Sequence, residues 1–274
     1  MLGMMLGMTS PAWAEIVEYD GLIEPYELIE IGTPSEGIVD QVNVDRSSPI
    51  KKGQVLVALE SSLEQASLKK AQAMATFDGE IRLQQIQLAF AKRVHQRIKS
   101  LAAISAHDKD QAATKIILTE YRLRKARENN TLAMLEVKKA QAMLARRSVK
   151  SPISGVVVDR YVSPGEYVKS QPLLKIAKIN PLRVEVIIPS RMFNKITPGT
   201  TATIIPELSA YGEHRATVRI VDKIIDSASN TFGVRLELPN TEHHLLAGLK
   251  CLVRFELDTS MDTETIDGET VPKT

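Results

Sequence analysis

The spacing of hydrophobic positions changes twice along the chain and divides it into three kinds of segment. Between residues 31 and 59, and again between 149 and 176, Val, Ile and Leu come in short alternating runs separated by Gly and Pro, which predicts short β-strands joined by tight turns. From 61 to 147 the pattern is helical, with no Pro, one Gly (Gly79) and many Ala, Gln, Leu, Lys and Arg residues. In its second half Ala112, Ile116, Thr119, Leu123, Ala126, Asn130, Ala133, Val137, Ala140 and Leu144 follow spacings of four and three without a break, a heptad seam. In its first half Leu83, Ile86, Phe90, Val94, Ile98 and Leu101 keep similar spacings. Small and polar residues from 100 to 110, with Ser105 or Asp108 as helix cap, predict a turn between the halves. The segment therefore reads as an antiparallel coiled-coil hairpin whose arms of about 40 residues extend roughly 60 Å. Strands return at 182–188, 200–205, 215–225, 231–238 and 248–257, and five of them predict a small antiparallel β-barrel.

Comparison of the chain with itself brings out a repeat at a constant offset of 118 residues. Ile31 aligns with Val149, Pro34 with Pro152, Gly37 with Gly155, Val39 with Val157, Val44 with Val162, Ile50 with Val168 and Leu56 with Leu174. Turn glycines complement one another: Ser47 and Gly53 stand in the first copy where Gly165 and Gln171 stand in the second. A copy of some 25 residues is too small to bury its own apolar face, so the two are expected to pack together as one domain split by the hairpin. Gly37, Gly53, Gly155 and Gly165 are its expected structural turn positions, and Gly155 is expected to tolerate a side chain poorly.

Composition narrows the classes of function. Among 274 residues, 43% are hydrophobic and 35 Lys and Arg offset 33 Asp and Glu, so a wholly disordered chain is excluded. Cys251 is the sole cysteine, which excludes an intramolecular disulfide and a multi-cysteine metal site. Residues 1–14 carry no charge and end in Ala12-Trp13-Ala14, so they are expected to be a signal peptide cleaved before Glu15, although a basic n-region is missing. No later stretch has the roughly 18 uncharged apolar residues of a membrane span. Residues 258–274 are polar and acidic and are expected to be a disordered tail.

The half-motifs Thr33-Pro34-Ser35-Glu36-Gly37-Ile38-Val39 and Ser151-Pro152-Ile153-Ser154-Gly155-Val156-Val157, separated by the hairpin and followed by strands ending in Phe232-Gly233-Val234-Arg235-Leu236-Glu237-Leu238-Pro239-Asn240, carry a resemblance. This arrangement resembles the periplasmic adaptor, or membrane fusion protein, family of the haemolysin-secretion D type. The resemblance implies a mainly β chain: a lipoyl- or biotinyl-like barrel-sandwich hybrid at 15–60 and 148–180, a coiled-coil hairpin at 61–147 and a β-barrel at 181–257. It also implies an adaptor of a tripartite efflux or secretion system, in the periplasm and held at the inner membrane by its partner. That adaptor would bridge an inner-membrane transporter and an outer-membrane channel of the TolC type, as a homo-oligomeric ring, commonly of six. The family's channel-binding tip maps onto Arg97, Leu101 and Ser105; here Ser105 follows Leu101 by four where the family has seven, so a shortened tip is expected. The family's additional membrane-proximal β domain and membrane anchor have no counterpart in the sequence and are expected to be absent.

Other chemistry finds little support. A carrier domain needs a lysine on the turn joining its halves, and Glu60-Ser61-Ser62-Leu63 has none, so no lipoyl or biotinyl cofactor is expected. The histidines are scattered, and the adjacent His243 and His244 would point opposite ways in extended chain, so neither a catalytic nor a metal site is expected. Met74, Met134 and Met143 sit at helical spacings that suit packing rather than soft-metal binding. The alternative from another class is a basic coiled-coil protein binding nucleic acid or another intracellular partner. Residues 61–147 hold 17 Lys and Arg against 8 Asp and Glu. With only Phe77, Phe90 and Tyr121 aromatic there, a solvated helical surface is the better reading, and no nucleic-acid partner is expected.

Overall fold

The computed structural model describes residues 14–101 and 103–258; the expected leader, Ala14 apart, and the tail beyond Asp258 lie outside them. The strands are β1 (Ala14–Ile31), β2 (Gly37–Val42), β3 (Pro49–Ile50), β4 (Val55–Leu59), β5 (Ser148–Lys150), β6 (Gly155–Arg160), β7 (Tyr167–Val168), β8 (Leu174–Pro189), β9 (Thr201–Pro206), β10 (His214–Val221), β11 (Thr231–Leu238) and β12 (Lys250–Asp258). Between β4 and β5 stand the helices α1 (Ser62–Ala75), α2 (Gly79–Lys99) and α3 (Ala106–Ala145).

Six strands, rather than the expected five, close the barrel in the order β1-β12-β9-β10-β11-β8, with β1 returning to β8. The sixth comes from the N-terminal side. β1 pairs with β12 from Ala14 to Leu22 and with β8 on both sides of an irregularity between Pro25 and Glu27, so one strand serves the barrel and the half-barrel in turn. Its exposed positions mix acidic residues (Glu18, Asp20, Glu27, Glu30) with Ile16, Leu22 and Leu28, whereas Ile23 is fully buried in a core it shares with Val184, Ile188, Ile204, Val234 and Phe255. Alternating burial along β11, Phe232, Val234, Leu236 and Leu238 inward, follows from the period of two.

The half-barrel is built on the repeat. All five aligned pairs of aliphatic residues, Ile31/Val149, Val39/Val157, Val44/Val162, Ile50/Val168 and Leu56/Leu174, lie in one core. A two-fold relation extends to the hydrogen bonds. Gly37 faces Val168 and Ile50 faces Gly155, which are the same pair under the 118-residue offset. Ser47 N donates to Val157 O and Gly165 N to Val39 O, both at 2.8 Å. Ser47 and Gly165 both have positive φ, 66° and 88°, so the first copy tolerates a left-handed serine where the second uses glycine. Gly155 has no room for a side chain, because a Cβ there would overlap the Ala177 carbonyl oxygen and stand 2.8 Å from its carbon.

In the hairpin, every member of the α3 seam from Ala112 to Leu144 is buried or half-buried, while all other positions from 114 to 143 are exposed. The facing arm differs from expectation in two ways. It is two helices, interrupted at Thr76 to Asp78, and the polar seam member Asn130 donates from Nδ2 to Ala75 O at 3.0 Å, satisfying a carbonyl that the break leaves free. The inward face of α2 is Ile81, Gln84, Leu88, Ala91, Val94, His95 and Ile98, whereas Leu83, Ile86 and Phe90 are 47%, 67% and 61% exposed. Close packing of two helices favours small residues at the contact, here Ala91 and Ala126, and leaves larger apolar side chains on the flank.

Candidate functional site at the hairpin tip

The tip lies at the far end of α3, a 40-residue helix about 60 Å long. Arg97 is exposed in the last turn of α2, where its charge complements the helix dipole. Leu101 is 48% exposed, with its N–H on Ile98 O at 3.2 Å. Ser105 caps α3: its Oγ accepts from Asp108 N at 3.2 Å and contacts Asp108 Oδ2 at 2.6 Å. Capping gives Ser105 a structural task, whereas Leu101 and Arg97 are open to a partner.

Behind the tip, one flank of the hairpin forms a groove of about 1040 Å³ between α2 and α3, lined by Phe90, Val94, Ile98, Ile104 and Leu118 and edged by Lys115 and Arg122. A Lys92–Glu120 ion pair at 2.9 Å ties the two helices together elsewhere along their length. The hairpin as a whole, residues 61–147, carries a net charge of +9.

The base is fastened by two consecutive arginines. Arg146 Nη2 donates to Pro34 O at 2.6 Å, and Ser35 Oγ donates to Arg146 O at 3.2 Å. Arg147 donates from Nη1 to Glu36 O at 2.7 Å and from Nη2 to Glu64 Oε1 at 2.6 Å. The Glu64 side chain is 14% exposed, and the hydrogen bond from Arg147 holds its carboxyl below the usual carboxylate range. Sequence reading did not single these arginines out, since their partners stand more than 80 residues away.

On the barrel, Glu24, Arg183, Glu185 and Arg235 alternate in sign across three strands at 2.6, 3.3 and 2.6 Å. Burial pushes the Cys251 thiol up to about 11, which keeps it protonated and unreactive at neutral pH. Among the described residues no group of three or more His, Cys, Asp or Glu side chains could hold a metal ion. His214 bonds Tyr211 O at 2.8 Å, and His243 and His244 remain on a loop. The Glu60-Ser61 turn runs directly into α1, with Glu60 Oε1 accepting from Ser62 N. No described helix is long and apolar enough to cross a membrane.

A half-barrel of two related copies, opened by a helical hairpin and continued by a closed barrel, defines a barrel-sandwich hybrid of the interrupted kind. The chain belongs to the family of CzcB-like barrel-sandwich hybrid domains, whose model matches residues 27–178. It is 25% identical to the efflux pump periplasmic linker BepD of Brucella suis, over 93% of this chain and 65% of that protein. It is 22% identical to the pyoverdine export membrane fusion protein PvdR of Pseudomonas aeruginosa, over 88% of this chain and 69% of the other. The crystal structure of MacA from Actinobacillus actinomycetemcomitans has the same fold, with a TM-score of 0.72 at 21% identity, covering 89% of this chain and 79% of that one. The chain spans between 59% and 69% of the length of three curated relatives, these two among them. None of these names points to a nucleic-acid partner.

Proposed function

We propose that the chain is the periplasmic adaptor subunit of a tripartite efflux or secretion system, associated with the inner membrane through a transporter and reaching an outer-membrane channel of the TolC type. The observation that carries this reading is the hairpin itself: an arm about 60 Å long, anchored in a half-barrel and ending in an exposed Leu101 and Arg97. Such an arm contributes little to the two cores, so its length is explained by a distant contact. The names of two relatives, an efflux pump periplasmic linker and a pyoverdine export membrane fusion protein, support the same reading.

In this reading Leu101 buries apolar area on the channel and Arg97 donates its fork to backbone or carboxylate oxygens there. The barrel faces the transporter, copies stand side by side in a ring, probed first as a hexamer, and the role is mechanical, with no catalytic step and no cofactor. Leu101→Asp and Arg97→Glu test it in cells. Loss of export with unchanged melting temperature and retained crosslinking to the transporter is the expected result. Normal export in both variants, or loss only in step with unfolding, contradicts it.

A further inference from the structure

We propose that Arg147 and Glu64 form a latch that holds the hairpin at one angle to the half-barrel, and that the hairpin swings when the latch opens. The hairpin joins the half-barrel through two short connections side by side. α1 begins three residues after the end of β4, at Ser62 after Leu59, and β5 begins three residues after the end of α3, at Ser148 after Ala145. β4 and β5 pair with each other, and Leu59 N donates to Arg147 O at 2.8 Å. Two adjacent connections of this kind make a hinge: they fix position but leave rotation about the line between them to other contacts.

Those contacts come from the two arginines between α3 and β5, which reach the loop before β2. The Arg147 guanidinium spans Glu36 O on that loop and Glu64 on the first turn of α1, so one rigid group ties both sides of the hinge. Arg146 adds Pro34 O. The repeat shows what the guanidinium replaces. In the second copy the backbone of Ala177 closes against Gly155, because β8 runs on into the barrel. Ala177 corresponds to Leu59, where β4 ends, and in the first copy it is Arg147 Nη1 that stands 2.7 Å from where a Cβ on Gly37 would be. A side chain, which can leave, thus stands where a continuous strand would lock the other half.

The test is a distance distribution between spin labels at Gln96→Cys on α2 and Lys52→Cys on the half-barrel, both exposed positions, in a Cys251→Ala background. The parent is expected to give one narrow population. Arg147→Lys, which cannot span both acceptors, and Glu64→Gln are expected to at least double its width or add a second population. Lys92→Gln, which breaks the ion pair midway along the hairpin, is expected to leave it as in the parent. Widths equal to the parent in the base variants overturn the proposal, as does equal broadening in Lys92→Gln, which would place the motion inside the arm. Should Arg147→Lys fail to fold, Glu64→Gln, with nearly unchanged size and shape, decides the outcome alone.

Discussion

Replacement of Gly155 by alanine probes the joint between the two copies of the half-barrel. The added methyl would overlap the Ala177 carbonyl oxygen, stand 2.8 Å from the carbonyl carbon and 3.1 Å from Lys178 Cα, all of them backbone atoms that no rotamer change can clear. β6 and β8 would have to part by about 1 Å or more to restore ordinary contact near 3.5 to 4 Å. Such a shift strains the pairs Val156↔Ala177 and Val157↔Ile176 and loosens Val157 and Ile176, which are 2% and 0% exposed in the core. Loss of one or two backbone hydrogen bonds at about 1 kcal/mol each, with the packing defect beside them, amounts to about 3 to 5 kcal/mol. Gly165→Ala is the control: its φ of 88° carries strain of about 1 to 2 kcal/mol, but nothing stands within 4 Å of its would-be Cβ. Chemical denaturation of both variants is expected to place Gly155→Ala well below Gly165→Ala. Equal midpoints would refute the close approach of β6 to β8.

Two further outcomes follow from the same contacts. Because Leu59 N lies 2.8 Å from Arg147 O, residues 62–146 are expected to be replaceable by a short Gly-containing turn that leaves the half-barrel and barrel cooperatively folded; a non-cooperative melt by calorimetry would show that the hairpin is needed for folding. Glu64 is held below its ordinary value of 4.5, so its contribution to stability is fully present above that value and is lost as pH falls through the lower folded value. The parent is accordingly expected to lose stability more steeply than Glu64→Gln below about pH 4.5, and parallel curves would speak against the bond to Arg147.

The legible parts of the molecule are those whose signals are local. The repeat was readable because each copy needs the same aliphatic positions and the same turns, and the α3 seam because a continuous helix against one partner writes a heptad into its own sequence. In the facing arm Val94 and Ile98 of the expected series face inward, but Leu83, Ile86 and Phe90 do not, because the contact runs through Ile81, Gln84, Leu88 and Ala91, a row that includes the polar Gln84 and so is less legible. The sixth barrel strand was missed because β1 reads as a Glu-rich segment, and its place depends on β8 and β12, more than 150 residues away. At the tip, the spacing of Arg97, Leu101 and Ser105 was visible, and so was Ser105 as a cap; that Leu101 stays open depends on how the turn packs. The arginine pair at the base carried no signal of its own, since a basic residue at a helix end is ordinary and its meaning lies in Pro34, Glu36 and Glu64.

The adaptor reading stands on one contact, the tip against a channel. A photo-crosslinking residue at position 101, incorporated in the cell that natively makes this protein, tests it directly when adducts are identified by mass spectrometry. An adduct with an outer-membrane channel protein, absent when the crosslinker is placed at Lys52 on the half-barrel, is the result expected. Adducts only with other copies of this chain, or none while export proceeds, would contradict it.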